Sequence, residues 1–67
     1  MNNIENNLNL DKTLLILDDD DVFRKRLITA MKRKGYEAYG AASIQEAKSL
    51  LSEKFPKYAV VDLRLDD

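Results

Sequence analysis

Continuous apolar runs and helix-period stripes take turns along this chain. Thr13-Leu14-Leu15-Ile16-Leu17 is an unbroken β-branched and apolar run that stops at four acids, Asp18 to Asp21. A run without polar alternation predicts a strand buried on both faces, as in a parallel sheet. From Asp21 to Lys34 the period changes. Phe23, Leu27, Ala30 and Met31 repeat at helical spacing, with Arg24, Lys25, Lys32 and Arg33 on other faces. Acids at its start and Lys32-Arg33-Lys34 at its end match the helix dipole, and Gly35 suits the position just past a helix.

Tyr36 to Ala41 predicts a second, more exposed strand, with Tyr36, Ala38 and Gly40 alternating with Glu37 and Tyr39. Ser43 and Glu46 form the sequence signature of a capping box, and Ile44, Ala47, Leu50 and Leu51 supply the stripe of a second helix ending near Lys54. Pro56 forbids its continuation. Tyr58-Ala59-Val60-Val61 opens a third strand, broken by Asp62 and followed by Leu63, Arg64 and Leu65. The order β-α-β-α-β with short connections predicts an α/β parallel sheet with helical crossovers. Residues 1–11, rich in asparagine, read as a flexible tail with at most a frayed helical turn through Ile4, Glu5 and Leu8. Residues 12–67 read as the folded part.

Composition narrows the chemistry. The 67 residues hold no cysteine and no histidine. That excludes disulfides, Cys- or His-ligated zinc, and His-assisted nucleophilic catalysis. Eleven Lys and Arg against twelve Asp and Glu give a net charge of −1, which removes the bulk electrostatic case for nucleic-acid or anionic-membrane binding. The longest apolar runs fall far short of a membrane span, and Met1 to Leu10 lacks the regions of a signal peptide. A cytoplasmic location is the expectation.

What remains is carboxylate chemistry. In open α/β sheets, ligands bind beyond the carboxyl ends of the strands, where the strand order reverses. With a strand order of 2-1-3, Asp18 and Asp19 after the first strand and Asp62 at the end of the third converge on one crevice. Carboxylates that close resist ionisation unless a cation compensates, and a hard divalent ion such as Mg²⁺ fits oxygen ligands. Asp62 interrupts a run that should be buried, where a charge is costly without a partner or metal. Asp20 and Asp21 read as helix cap and first-turn residues. A calcium loop is excluded, because Val22, Phe23 and Thr29 stand where it requires an acid, a glycine and a glutamate. No glycine-rich phosphate loop is present. The basic face of Arg24, Lys25, Lys32 and Arg33 reads as a solvated surface, and Tyr36, Tyr39 and Tyr58 as packing.

Leu15-Ile16-Leu17-Asp18-Asp19-Asp20 before an amphipathic helix, and Tyr58-Ala59-Val60-Val61-Asp62-Leu63-Arg64-Leu65, resemble the receiver domain of bacterial two-component response regulators. The Asp-Leu-Arg-Leu segment makes the RegA/PrrA/ActR redox-responsive type the nearest likeness within that family. The resemblance implies a flavodoxin-like fold, of which this sequence covers roughly the first half. It implies that Asp62 is the phospho-acceptor and that Asp19 ligates Mg²⁺ directly, with Asp18 acting through water. The backbone carbonyl of Arg64 matches the third protein ligand. A sensor histidine kinase is the implied partner, and the parent is a transcriptional regulator that binds DNA through a helix-turn-helix not present here. The chain itself is expected to be neither a classical enzyme nor a direct nucleic-acid binder.

The Thr/Ser, Lys and aromatic switch residue of a full receiver are not in this stretch, so full competence is not implied. The alternative is a small α/β interaction or assembly domain whose acids are only caps and surface charges. A haloacid-dehalogenase-like phosphatase is disfavoured, since Asp62-Leu63-Arg64 lacks its second aspartate. The third strand becomes a sheet edge in such a half-receiver, which predicts a homo-oligomer.

Overall fold

The computed structural model describes residues 10–64; residues 1–9 of the tail expected over residues 1–11, with its helical turn, and the chain from Leu65 onward lie outside them. The observed order is β1 (Thr13–Asp18), α1 (Asp21–Arg33), β2 (Glu37–Ala41), α2 (Ile44–Leu51) and β3 (Tyr58–Asp62). The three strands form one parallel sheet ordered β2-β1-β3. This is the truncated flavodoxin-like arrangement expected from the sequence.

Central placement explains the composition of β1. It pairs on both sides, and all six of its residues are buried. Alternate side chains go to opposite faces of a strand. Leu14 and Ile16 therefore pack with Ala38 beneath Leu27, Ile28 and Met31 of α1. Leu15 and Leu17 pack with Ala41 and Ala47 on the α2 side. The helices thus cover opposite faces, chiefly over β1 and β2.

Helix ends follow local chemistry. Asp20 caps α1, its Oδ1 accepting the Phe23 N–H at 3.0 Å. At the other end the Gly35 N–H donates to the Lys32 carbonyl and the Tyr36 N–H to the Met31 carbonyl. This Schellman closure needs a left-handed residue, and Gly35 supplies it with φ of 96°. Ser43 caps α2 through the Glu46 N–H at 3.1 Å, while Glu46 Oε1 accepts the Ala42 N–H rather than that of the cap residue. The helix stops at Leu51, short of the expected Lys54. Ser52 caps it and donates its hydroxyl to the Ser49 carbonyl at 2.7 Å, drawing the chain into a turn.

Two expectations of burial change. Phe23 and Ala30 lie outward on α1, and the inward stripe is Arg24, Leu27, Ile28 and Met31. The cause is Gly40. A Cβ there would stand 2.7 Å from Ile28 Cδ1 and 3.0 Å from Arg24 Cδ, so its absence lets α1 lie close on β2 with these two side chains inward. The second change is β3, every residue of which is exposed. Among the described residues it pairs only with β1, and both helices pack away from it, so Asp62 does not interrupt a buried run.

Below the sheet, the Lys57 N–H donates to Thr13 Oγ1 at 2.8 Å, and Thr13 Oγ1 donates to Asp11 Oδ1 at 2.6 Å. Tyr36 and Tyr58 meet edge to face with centroids 6.0 Å apart, as packing residues. Among the described residues no helix is long and apolar enough to cross a membrane.

Candidate functional site at the carboxyl ends of β1 and β3

The chain runs from β1 to β2 on one flank and then crosses to β3 on the other. The crevice between the carboxyl ends of β1 and β3 is therefore the point where strand order reverses. Asp18 and Asp62 are paired in register at that point, the last residues of their strands. Paired residues on neighbouring strands share a face, so the topology brings these two acids side by side.

Their surroundings differ. Asp18 is 3% exposed. Its Oδ1 accepts the Asp20 N–H at 2.8 Å, which shapes the turn into α1. Asp62 is open to solvent at the end of the edge strand. Asp19 is exposed one residue past β1, and Arg64 is exposed two residues past Asp62. Among the described residues, no three His, Cys, Asp or Glu side chains gather as a metal-holding group. The register pairs Asp18 with Asp62.

The donor set still suits a hard cation. Asp18, Asp19 and Asp62 offer carboxylate oxygens and Arg64 a backbone carbonyl, with no nitrogen or sulfur ligand. Mg²⁺ is commonly held by one or two carboxylates, its remaining positions taken by water and phosphate. The residues present fit that requirement.

One residue of this corner was misread from the sequence. Arg24 does not belong to a solvated basic face, since its side chain is only 13% exposed. Nη1 donates to the Asp18 backbone carbonyl at 2.8 Å, and Nη2 donates to Asp21 Oδ1 at 2.6 Å. The signal was its spacing. Arg24 lies three and four residues before Leu27 and Ile28, on the stripe that packs against the sheet, and a long aliphatic stem can be buried while its head stays polar.

Two titrating groups are shifted at the opposite end of the sheet and beside β2. Hydrogen bonds from the Thr13 hydroxyl and then its amide hold the Asp11 carboxyl below its usual value. Burial raises the Tyr39 hydroxyl. An open groove of about 560 Å³ along the outer edge of β2, lined by Tyr36, Tyr39, Leu50 and Lys54 among others, is likewise away from the acids.

A parallel sheet wound 2-1-3, with two aspartates paired at its switch point, is the arrangement of a truncated flavodoxin-like receiver fold. Sequence comparison carries this further. The chain is 47% identical over 60 residues to the photosynthetic apparatus regulatory protein RegA of Cereibacter sphaeroides, covering 90% of this chain and 33% of that protein. It is 40% identical over 60 residues to RegA of Rhodobacter capsulatus, with the same coverage. The acid tolerance regulatory protein ActR of Rhizobium meliloti matches at 46% over 57 residues, 85% of this chain and 29% of ActR. The chain belongs to the response regulators of this RegA and ActR type. It spans about a third of the length of the curated relatives it matches. No family model matches the chain, and no solved structure does.

Proposed function

We propose that the chain is the phospho-accepting part of a two-component regulator, with Asp62 as the acceptor. The observation that carries this reading is the register of Asp62 with Asp18 at the switch point. A carboxylate oxygen of Asp62 attacks the phosphorus of a phosphohistidine on a sensor kinase. The P–N bond breaks as the acyl-phosphate C–O–P linkage forms, and the kinase imidazole leaves. The solvent exposure of Asp62 supports access by such a donor. Asp18, Asp19, Asp62 and the Arg64 carbonyl are the groups proposed to hold Mg²⁺. When bound, Mg²⁺ supplies neutralisation of the charge that develops on the phosphoryl oxygens, in keeping with phosphoryl transfer as mainly positioning and electrostatics.

The product is a dianion beside Asp18, which biases the surrounding surface between two states. Read out by a longer parent, this makes the protein a cytoplasmic transcriptional regulator whose DNA contacts lie outside this chain. The names of the relatives, both regulatory proteins, support that role.

The test is incubation of the 67-residue chain with acetyl phosphate and Mg²⁺, read by intact mass. One added phosphoryl group that disappears in Asp62→Asn supports the reading. No modification, with no Mg²⁺-dependent change in the amide spectrum, overturns it. The exposed edge of β3 favours a second reading, an α/β assembly domain without phosphotransfer. That reading predicts the second outcome together with self-association.

A further inference from the structure

We infer that Arg24 is a positioning residue for the acidic corner, fixing the end of β1 from which Asp18 and Asp19 are presented. The inference rests on the phospho-acceptor reading only for its metal arm. Arg24 reaches three elements at once. Its stem lies over β2 where Gly40 leaves room, with Cδ at 3.0 Å and Cγ at 3.2 Å from the place a Cβ would occupy. Its Nη1 holds the Asp18 carbonyl, and its Nη2 ties the same head to Asp21 in the first turn of α1.

That carbonyl is the last acceptor of a strand residue whose own carboxylate takes the Asp20 N–H. The backbone and side chain of Asp18 are therefore fixed from two directions, the first by α1 and the second by the turn itself. Asp19 lies inside this short closed segment, so its main chain is fixed as well. A guanidinium suits the task because its planar fork serves two acceptors at once, which a single ammonium does not reproduce. A purely electrostatic Arg24 acts in the opposite direction. A cation beside a carboxylate site repels a second cation, so losing it would strengthen metal binding.

The test compares wild type with Arg24→Met and Arg24→Lys, the second variant keeping both the stem and the charge. Hydrogen exchange of the Asp20 amide, referenced to the amides of β1 and β3, reads the positioning directly. Fluorescence-free NMR titration with Mg²⁺ reads its consequence. Positioning predicts that Asp20 exchange rises about tenfold relative to the reference amides in both variants, the scale of losing a hydrogen bond to a charged donor. It also predicts weaker Mg²⁺ binding in both.

Unchanged relative exchange at Asp20 in Arg24→Lys overturns the inference, as does tighter Mg²⁺ binding in Arg24→Met. A wild-type chain that ignores Mg²⁺ removes the metal reading, and the exchange arm then decides the role of Arg24 by itself. If Arg24→Met does not fold, Arg24→Lys carries the same comparison.

Discussion

Asp18 and Asp62 are register partners on adjacent parallel strands, yet Asp18 is 3% exposed while Asp62 lies open to solvent. The asymmetry follows from strand position. β1 is covered on both flanks, whereas β3 forms an edge. It divides the work between the two acids, with Asp18 built into the turn and Asp62 presented outward.

The same division should separate Asp18 from Asp19 in the proposed binding of Mg²⁺. Asp18 Oδ1 is engaged by the Asp20 N–H, and Asp19 is exposed just beyond it. Asp18→Asn keeps an oxygen for that hydrogen bond, so it tests charge without opening the turn. It should weaken Mg²⁺ affinity about tenfold, as expected of a group acting through another ligand or a water. Asp19→Asn should weaken it more. Calorimetric titration of both variants checks this, and an equal or larger loss from Asp18→Asn overturns the assignment.

Gly35 and Gly40 should fail differently on substitution by alanine. Gly35 has open space around its missing Cβ, but its φ of 96° strains any L side chain. Gly35→Ala should cost about 1 kcal/mol, a backbone effect. Gly40→Ala instead drives a Cβ against Ile28 and Arg24. It should cost about 1–3 kcal/mol, the range of overpacking. Trimming Ile28 to valine should recover part of the second loss and none of the first. Urea melts of the single and double variants measure both, and recovery in the Gly35→Ala background would refute the distinction.

Much of this architecture is legible in the sequence because several local signals agree. An unbroken apolar run marks β1, Asp20 and Ser43 mark helix starts, and Gly35 marks a helix end, each by a physical requirement independent of tertiary context. The acids of the candidate site are legible too, since polar residues ending apolar strands stand out. The inward face of α1 is not. Phe23 outranks Arg24 on any hydrophobic scale, yet the helix turns by the fit of Arg24 and Ile28 over Gly40, a contact between residues far apart in the chain. The exposure of β3 is hidden for a similar reason. Its residues are those of a buried strand, and only the packing of α1 and α2 determines whether anything covers them.

Acid should weaken the lower end of the sheet through Asp11. Hydrogen bonds from the Thr13 hydroxyl and amide favour its charged form and lower its folded pKa, helped by the charges of Lys57 and Lys54. A group whose folded pKa is depressed stabilises the fold above its unfolded value, about 3.9 for an aspartate. That contribution is lost as pH falls through the lowered folded value. Thermal melts should therefore show a gap between wild type and Asp11→Asn at neutral pH that closes across this acidic window. A gap independent of pH would mean that the carboxylate charge contributes nothing.

Self-association should run through β3. All of its residues are exposed, including Val60 at 41% and Val61 at 63%, with Phe55 at 78% just before it. An apolar edge with unpaired N–H and C=O groups is a template for another strand. The other edge, β2, is a poorer candidate. Ala38 and Ala41 are buried beneath α1 and α2, and the Glu37–Lys54 ion pair at 3.8 Å places charge beside it. Two copies related by a two-fold axis can join β3 to β3 antiparallel, extending the sheet and covering both apolar edges at once. Sedimentation equilibrium at micromolar concentration should therefore give a dimer or larger species. Val61→Lys, which places a charge of the kind natural edge strands use against pairing, should shift it to monomer without loss of helix signal. A wild-type chain that sediments as a folded monomer with a cooperative melt would show that β3 is tolerated as a solvent-facing edge.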